Sequence, residues 1–526
     1  MKVLLINPNR INGSKVFNYQ SDYDFEIDGD DYGQFPPLGL LYIASALKKA
    51  RPQHEIQVID AIAEKLSGIE LEKRVSDFAP DFVGLSTFTG IMYDCCMIAR
   101  IVKKTNPEIH VCFGGPHISD FPVETANLPD VDSIVLGEGE NTIVELMDHL
   151  EQNQSIENIP GVFTQENASE VTHKKSQRPM VDNLDDLPFP DRSLLKQDLY
   201  YNAIGFEKNI ASIITSRGCP NQCTFCGTMR SNYRMRTVPN ILDEIRLILD
   251  DGIKEIFFQD DTFNLLGERA KIFCREVLAN NLKFTWTFKA RVDQIDEELM
   301  DLAYQAGCRQ LHIGVETGTQ EGLDFLKKGV TIGQLTRAFN LAHKYNIRTI
   351  ADWMIGMPFE KSMDDIDRNF EFLLDLDPFY AQINVLQPFP YTELFSQAEK
   401  AGIDNLARWQ EWCANPQPEF ERTIWSEFFT TNELTSKSEE LYRKFYFRLE
   451  YVGKSITHLM SYRDFKRKLK GASRIFFNSN KKIRLKNRKK FGNDIMSDFE
   501  TERASFSPLN ATTPKNYLPL GGIKGH

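Results

Sequence analysis

No stretch of this sequence stays apolar over the roughly 20 residues that a membrane-spanning helix needs. The opening Met1-Lys2-Val3-Leu4-Leu5-Ile6-Asn7-Pro8 reads as a short strand rather than a cleaved leader, so a reducing cytoplasm is the expected compartment. Positive charge is in deficit too: 62 Lys and Arg against 74 Asp and Glu leave a net charge of -12, which argues against nucleic-acid binding. No G-x-G-x-x-G follows the first strand, so a dinucleotide fold of the dehydrogenase type is not expected. Short-period repeats are missing. What is present is core material, 41% hydrophobic residues in 526, enough for about two to four domains.

Most cysteines are unpatterned. Of nine, Cys95, Cys96, Cys112, Cys274, Cys308 and Cys413 show no ligand spacing and read as buried apolar thiols. The other three fall together in Thr215-Ser216-Arg217-Gly218-Cys219-Pro220-Asn221-Gln222-Cys223-Thr224-Phe225-Cys226-Gly227, at C-x3-C-x2-C spacing after a β-branched strand, Ile210 to Thr215. Three thiolates so close can hold an iron-sulfur cluster, and a four-iron cube on three cysteines keeps one iron open for a small molecule. Gly218 and Gly227 let the backbone wrap a bulky group. Zinc would want a fourth Cys or His nearby, and none lies between Cys226 and Cys274. A disulfide cluster would suit an oxidising compartment, of which there is no sign.

This run resembles the signature of the radical S-adenosylmethionine (SAM) superfamily, which has an aromatic before its last cysteine, here Phe225. The resemblance implies a [4Fe-4S] cluster on Cys219, Cys223 and Cys226, with SAM chelated to the open iron. One electron then cleaves SAM to methionine and a 5'-deoxyadenosyl radical, so the cofactors carry the hard chemistry. An electron donor such as flavodoxin or ferredoxin is the implied partner.

Residues 1–150 alternate strands with helical stretches: Val3 to Asn7, Gln57 to Asp60, Phe82 to Ser86, His110 to Gly114 and Ser133 to Leu136. That rhythm predicts a doubly wound, Rossmann-like parallel sheet with ligand loops at its carboxyl edge. The loops are Asn7-Pro8-Asn9, Ser86-Thr87-Phe88, Gly114-Gly115-Pro116-His117 and Gly137-Glu138-Gly139-Glu140. With Phe35-Pro36-Pro37-Leu38-Gly39-Leu40 they resemble the cobalamin-binding domain that precedes many radical SAM cores. The resemblance assigns Ser86 and Thr87 to the nucleotide-tail loop and Gly114 and Gly115 to the paired glycines, with Gly137 and Glu138 also at the cofactor. Domains of the methionine synthase type carry D-x-H-x-x-G after their first strand; Asn7-Pro8-Asn9-Arg10 supplies no such histidine. Cobalamin without a lower histidine ligand is therefore expected, with His117 a cofactor contact at most.

Residues 151–205 read as a proline-rich and acidic connector. Residues 206–395 show six strand-like segments between helices: Ile210 to Thr215, Glu255 to Gln259, Phe284 to Phe288, Gln310 to Val315, Thr349 to Ile355 and Ala381 to Leu386. These predict a partial (β/α)6 barrel related to the eight-stranded one, with chemistry at the carboxyl ends of the strands. By resemblance, Asp260 faces the SAM ammonium, Arg291 a carboxylate, Glu316 the ribose, and Gly356 lies against the adenine. Each also has a plain reading as a cap or surface ion pair. Tyr391 stands where the family turn usually has glycine.

Residues 396–494 read as a helical region with an aromatic stripe and a basic stretch, Arg463 to Lys490, and 495–526 as a disordered tail. The basic stretch is a solvated face or a peripheral membrane contact. Together the resemblance implies a cobalamin-dependent radical SAM enzyme, methylating an unactivated carbon of a small-molecule or lipid-like substrate. A non-methylating oxidative cyclase or rearrangement enzyme, and a corrinoid- or cluster-binding regulator without turnover, are the alternatives.

Overall fold

A computed structural model describes residues 1–9, 33–171, 178–228, 231–418, 420–425 and 427–457. The basic stretch and the tail lie outside the described residues. The described part falls within one compact unit, Met1–Lys482.

The amino-terminal half is a parallel sheet of Lys2–Asn7, Glu55–Asp60, Phe82–Ser86, His110–Gly114 and Ser133–Val135, closed by an antiparallel two-residue strand, Val162–Phe163. In chain order these strands lie 2-1-3-4-5-6 across the sheet. The order reverses between the first and third strands, which opens a crevice at their carboxyl ends, where Asn7 and Ser86 sit. Both faces are buried, as near-continuous apolar runs such as Val3-Leu4-Leu5-Ile6 require.

The core sheet is wholly parallel and sequential: Ile210–Ile213, Glu255–Phe258, Thr285–Ala290, Cys308–Glu316, Arg348–Ile355 and Tyr380–Val385. All six lie where sequence periodicity puts them. One face packs against the outer helices through Phe258, Trp286, Phe288, Leu311, Ile313 and Trp353. The sheet does not close on itself, so its first and last strands must be covered. At the last strand, the helix Thr431–Tyr446 brings the Tyr442 hydroxyl within 2.9 Å of Ile383 N, a donor to it, and the Tyr446 hydroxyl within 3.2 Å of Ala381 N. The aromatic stripe thus caps backbone as well as filling core.

At the first strand the connector does this work. Ile210 N donates to Tyr200 O at 3.2 Å, and Arg192 donates to Ser212 O at 2.7 Å. Arg192 is buried and ion-paired with Glu244 at 2.6 Å; Arg236 shares the same carboxylate. The carboxyl-terminal region does not stand apart either: Trp409 and Trp412 of the helix Leu406–Ala414 lie in the hydrophobic core of the amino-terminal sheet.

Glu244 is fully buried between two buried guanidinium groups, so its removal leaves uncompensated charge in a dry site. Glu244→Ala should cost about 3–5 kcal/mol, read as a lower urea midpoint. Lys73→Ala, which breaks an exposed helical pair with Asp77, should cost under about 0.5 kcal/mol.

Candidate active site

The cysteine loop leaves the first core strand through a two-residue bridge, Ser216–Arg217 against Arg234–Met235. Gly218 has φ of +87°, and a β-carbon there would collide with the Asn232 carbonyl, so this corner accepts only glycine. Backbone bonds clamp the loop: Thr224 N donates to Leu326 O at 3.0 Å, and Leu394 N to Thr224 O at 2.8 Å. Asn221 Nδ2 donates to Cys219 Sγ at 3.1 Å, and the Thr228 hydroxyl lies 3.1 Å from Cys226 Sγ. Burial pushes the Cys223 thiol up, while the positive charges of Lys328 and Arg291 pull it toward the thiolate. Phe225 packs with Leu326, Met357 and Leu394, its ring centre 5.7 Å from Lys328 Nζ.

All nine cysteines are free thiols. Among the described residues no three His, Cys, Asp or Glu side chains converge tightly enough to hold a single metal ion. A cube does not ask three thiolates to meet at one ion, because each binds its own iron. Free thiols, donors to sulfur and adjacent cations fit an anionic iron-sulfur cluster.

Around this loop the other strand ends supply polar groups. At the end of the fourth strand a bulge puts Glu316 at φ of +67°, and its carboxylate accepts from Lys328 Nζ at 2.6 Å. Burial works against the Lys328 ammonium, but Glu316 beside it holds it charged. Gly356, at φ of +77°, donates its N–H to Glu360 Oε2 at 2.8 Å, and Met357 N does so at 2.9 Å. Glu360 in turn accepts from Asn369, whose Oδ1 accepts from Gly318 N at 2.5 Å. Glu360 and Asn369 thus tie together the turns after the fourth and fifth strands. Sequence reasoning missed both, although an acid four residues past a strand-end glycine was the available signal. Arg291 pairs with Asp293 at 3.0 Å and donates to Lys328 O at 3.2 Å, while Asn264 bonds its backbone N and O, each at 2.9 Å.

Asp260 departs from expectation. Its carboxylate accepts from Thr215 N at 2.9 Å and from the Ser216 hydroxyl at 2.6 Å, and is fully buried beneath the cysteine loop. Burial pushes its carboxyl up against these donors. The neighbouring Asp261 is exposed; partial burial pushes its carboxyl up, and the Lys289 charge favours the carboxylate against it.

At the cobalamin-type loops, Thr87 is buried, its N–H and hydroxyl both donating to Gly114 O, at 2.6 and 2.9 Å. A β-carbon on Gly115, at φ of +109°, would strike Thr87 backbone at 2.8 Å, whereas one on Gly114 would meet nothing within 4 Å. Gly114 therefore borders open space beside Ser86 and the exposed Phe88, a cradle that fits a large flat cofactor. Gly137 turns the fifth loop at φ of +89°.

Glu138 is used differently from the sequence-based expectation. Its carboxylate accepts from Arg217 at 3.0 Å, Arg234 at 2.7 Å and Val181 N at 2.8 Å. Burial raises its carboxyl, but the Arg234 hydrogen bonds and the Arg217 charge hold it below the usual range. Arg217 also reaches Glu140 at 2.5 Å and lies over the Tyr42 ring. His117 is buried, with Nδ1 3.0 Å from the Thr89 hydroxyl. Burial pushes its imidazolium down to about 3, so it is neutral, and its Nε2 has no partner within the structure. Tyr391 holds φ of +61°, the left-handed turn that glycine would take without strain.

Two outcomes separate cofactor contact from fold. Gly114→Phe should leave the melting temperature near wild type yet lose hydroxocobalamin on gel filtration, whereas Gly115→Ala should lower the melting temperature through its clash with Thr87. Cys223→Ala should abolish both cluster absorbance and SAM cleavage.

The comparisons agree with this geometry. Residues 213–373 match the Radical SAM superfamily model and residues 29–147 the B12 binding domain model. The chain is 30% identical over 447 residues to an uncharacterized methyltransferase of Pyrococcus horikoshii, covering 84% of this chain and 94% of that one. It is 27% identical over 406 residues to the anaerobic magnesium-protoporphyrin IX monomethyl ester cyclase of Rubrivivax gelatinosus, covering 76% and 70%. In fold it is similar to the cobalamin-dependent SAM radical enzyme OxsB with aqua-cobalamin and SAM bound, with a TM-score of 0.65 at 19% identity, covering 91% and 71%. With both domain models matched and a relative at 30% identity covering most of both chains, the chain belongs to the cobalamin-binding radical SAM family.

Proposed function

We propose that this enzyme places a methyl group on an unactivated carbon of a small molecule. The observation that carries the reading is the ion-pair set between the two cofactor sites: Arg217, two residues before Cys219, is held by Glu138 and Glu140 from the loop after the fifth amino-terminal strand. When bound, the cluster, SAM and cobalamin supply an electron, a hydrogen-abstracting radical and a transferable methyl, which a carbon without a lone pair requires. The chain's own part is positional. Cys219, Cys223 and Cys226 would hold the cluster; Glu316 would border the nucleoside, on turns that Gly356, packed against Leu434, helps to shape; Ser86 and Gly114, with Thr87 fixing their loops, would seat the corrinoid. Arg291, paired with Asp293, serves by holding the Lys328 backbone, and Asp260 by fixing the strap from Thr215 to Ser216 under the cluster.

The electron comes from an external donor of the flavodoxin or ferredoxin type. No helix among the described residues is long and apolar enough to cross a membrane. The reading as a methyltransferase is favoured by the Pyrococcus relative, and ring closure by the Rubrivivax one.

Reduced holoenzyme given SAM with a deuterated methyl and a metabolite extract should release 5'-deoxyadenosine and add a labelled methyl to an extract component. Deoxyadenosine with a product two hydrogens lighter and no label would establish ring closure instead. Cob(II)alamin in the protein should show no nitrogen superhyperfine splitting in electron paramagnetic resonance, and His117→Ala should leave that spectrum unchanged. Splitting that disappears in the variant would make His117 a cobalt ligand.

A further inference from the structure

Closed barrels fill their interior with bulky branched side chains. This one does not. Parity along the strands fixes which side chains face inward, because the opposite parity, Phe258, Phe288, Leu311, Ile313 and Trp353, is packed under the outer helices. The inward set includes Lys289 and His312, directly paired across the third and fourth strands, and Asp352 and Gln382, paired across the fifth and sixth. Asn384 is two residues further along the sixth strand.

Several of these are polar groups without protein partners. Lys289 and Asn384 are exposed although they sit within strands of a parallel sheet, so they border open space inside the barrel. Lys328 and Arg291 nearby are committed to Glu316 and Asp293. Among the described residues the Lys289 ammonium and the Asp352 carboxyl have neither a hydrogen bond nor an ion pair. Deeper on the same face, one inward step below His312 and so beneath the pocket, Gln310 is fully buried with neither its amide oxygen nor its amide nitrogen satisfied. The floor below is apolar and closed: Phe35, from the amino-terminal half, meets Phe257 at 5.3 Å, and Phe257 meets His312 at 5.4 Å.

We infer that the barrel interior above the Phe35, Phe257 and His312 floor is the substrate pocket, and that it takes a small polar molecule bearing an acidic group for Lys289 and a hydroxyl or ammonium donor for Asp352. This deepens the proposed methyl transfer, on which it rests, and excludes a hydrocarbon-like substrate: an apolar guest would leave a cation and an acid unpaired. Burial, then the charge of Glu316, push the Asp352 carboxyl up to about 7 against Lys328 and Lys289, so it is partly protonated near neutrality and an ammonium donor beside it would draw it to the carboxylate. His312 is neutral there, its imidazolium pushed down to about 3 by burial and by Lys289.

The test uses anaerobic holoenzyme saturated with SAM, and four probes measured by calorimetry: L-serine and glycerate, which carry acid and donor, propionate, which carries acid only, and 1-octanol. Serine or glycerate should bind more tightly than propionate, and octanol should not bind. Lys289→Met should weaken the acids by about tenfold or more, the loss of a charged hydrogen bond. Asp352→Leu, of similar size and without an acceptor, should erase the preference over propionate, with melting temperature confirming the fold of both variants. Saturable octanol binding, acids indifferent to Lys289→Met, or a preference surviving Asp352→Leu would each overturn the inference. So would binding seen only without SAM, because the two groups would then belong to the SAM site. Release of 5'-deoxyadenosine on reduction reports the radical chemistry separately: if that is present and the acids fail to bind, only the pocket is wrong.

Discussion

Six parallel strands do not close a barrel, and much of the structure answers that one fact. An open sheet offers two rows of unpaired backbone groups and an interior that side chains alone need not fill. Tyr442 and Tyr446 satisfy the edge of the sixth strand. The connector satisfies the first, where Arg192 serves the backbone of Ser212 and the buried Glu244 together. A segment that sequence composition marks as a linker is therefore part of the barrel wall. The same openness makes room for Lys289, Asp352 and Asn384 where a closed barrel would carry Val or Leu.

Charge joins the two halves. Arg217 and Arg234 flank the cysteine loop, and both end on Glu138 of the amino-terminal sheet. Three partly buried charged groups in one network are worth more as geometry than as stability, because desolvation offsets much of the Coulomb gain. What they fix is distance: the strand-end loop beside the corrin cradle cannot shift without moving the residue two positions before Cys219. The helix Leu406–Ala414, inserted into the amino-terminal core through Trp409 and Trp412, reinforces that arrangement from the far end of the chain.

Secondary shells behave alike throughout the site. Asp260 under the cluster loop, Asn264 on the Arg291 backbone, and Glu360 with Asn369 beneath Gly356 are buried acids and amides whose hydrogen bonds run to backbone N–H and C=O groups. Such groups set where a strand-end turn lies, and their burial makes the turns rigid.

The sequence by itself determined the elements and the cluster. Period-two and 3.6 patterning located all eleven parallel strands, since each must bury apolar side chains in its own register. The C-x3-C-x2-C loop was legible because ligand spacing within one loop is local. Strand-end glycines were legible for a related reason: φ of +109° at Gly115 and +77° at Gly356 is a backbone demand that composition records. Only tertiary structure decided which way the acids point. Asp260 is buried and Asp261 beside it exposed, and Glu138 and Glu316 are claimed by cations, Arg217 and Lys328, distant from them or on another turn. Partner choice of that kind depends on how strands and domains meet in space, and no pattern of neighbouring residues encodes it.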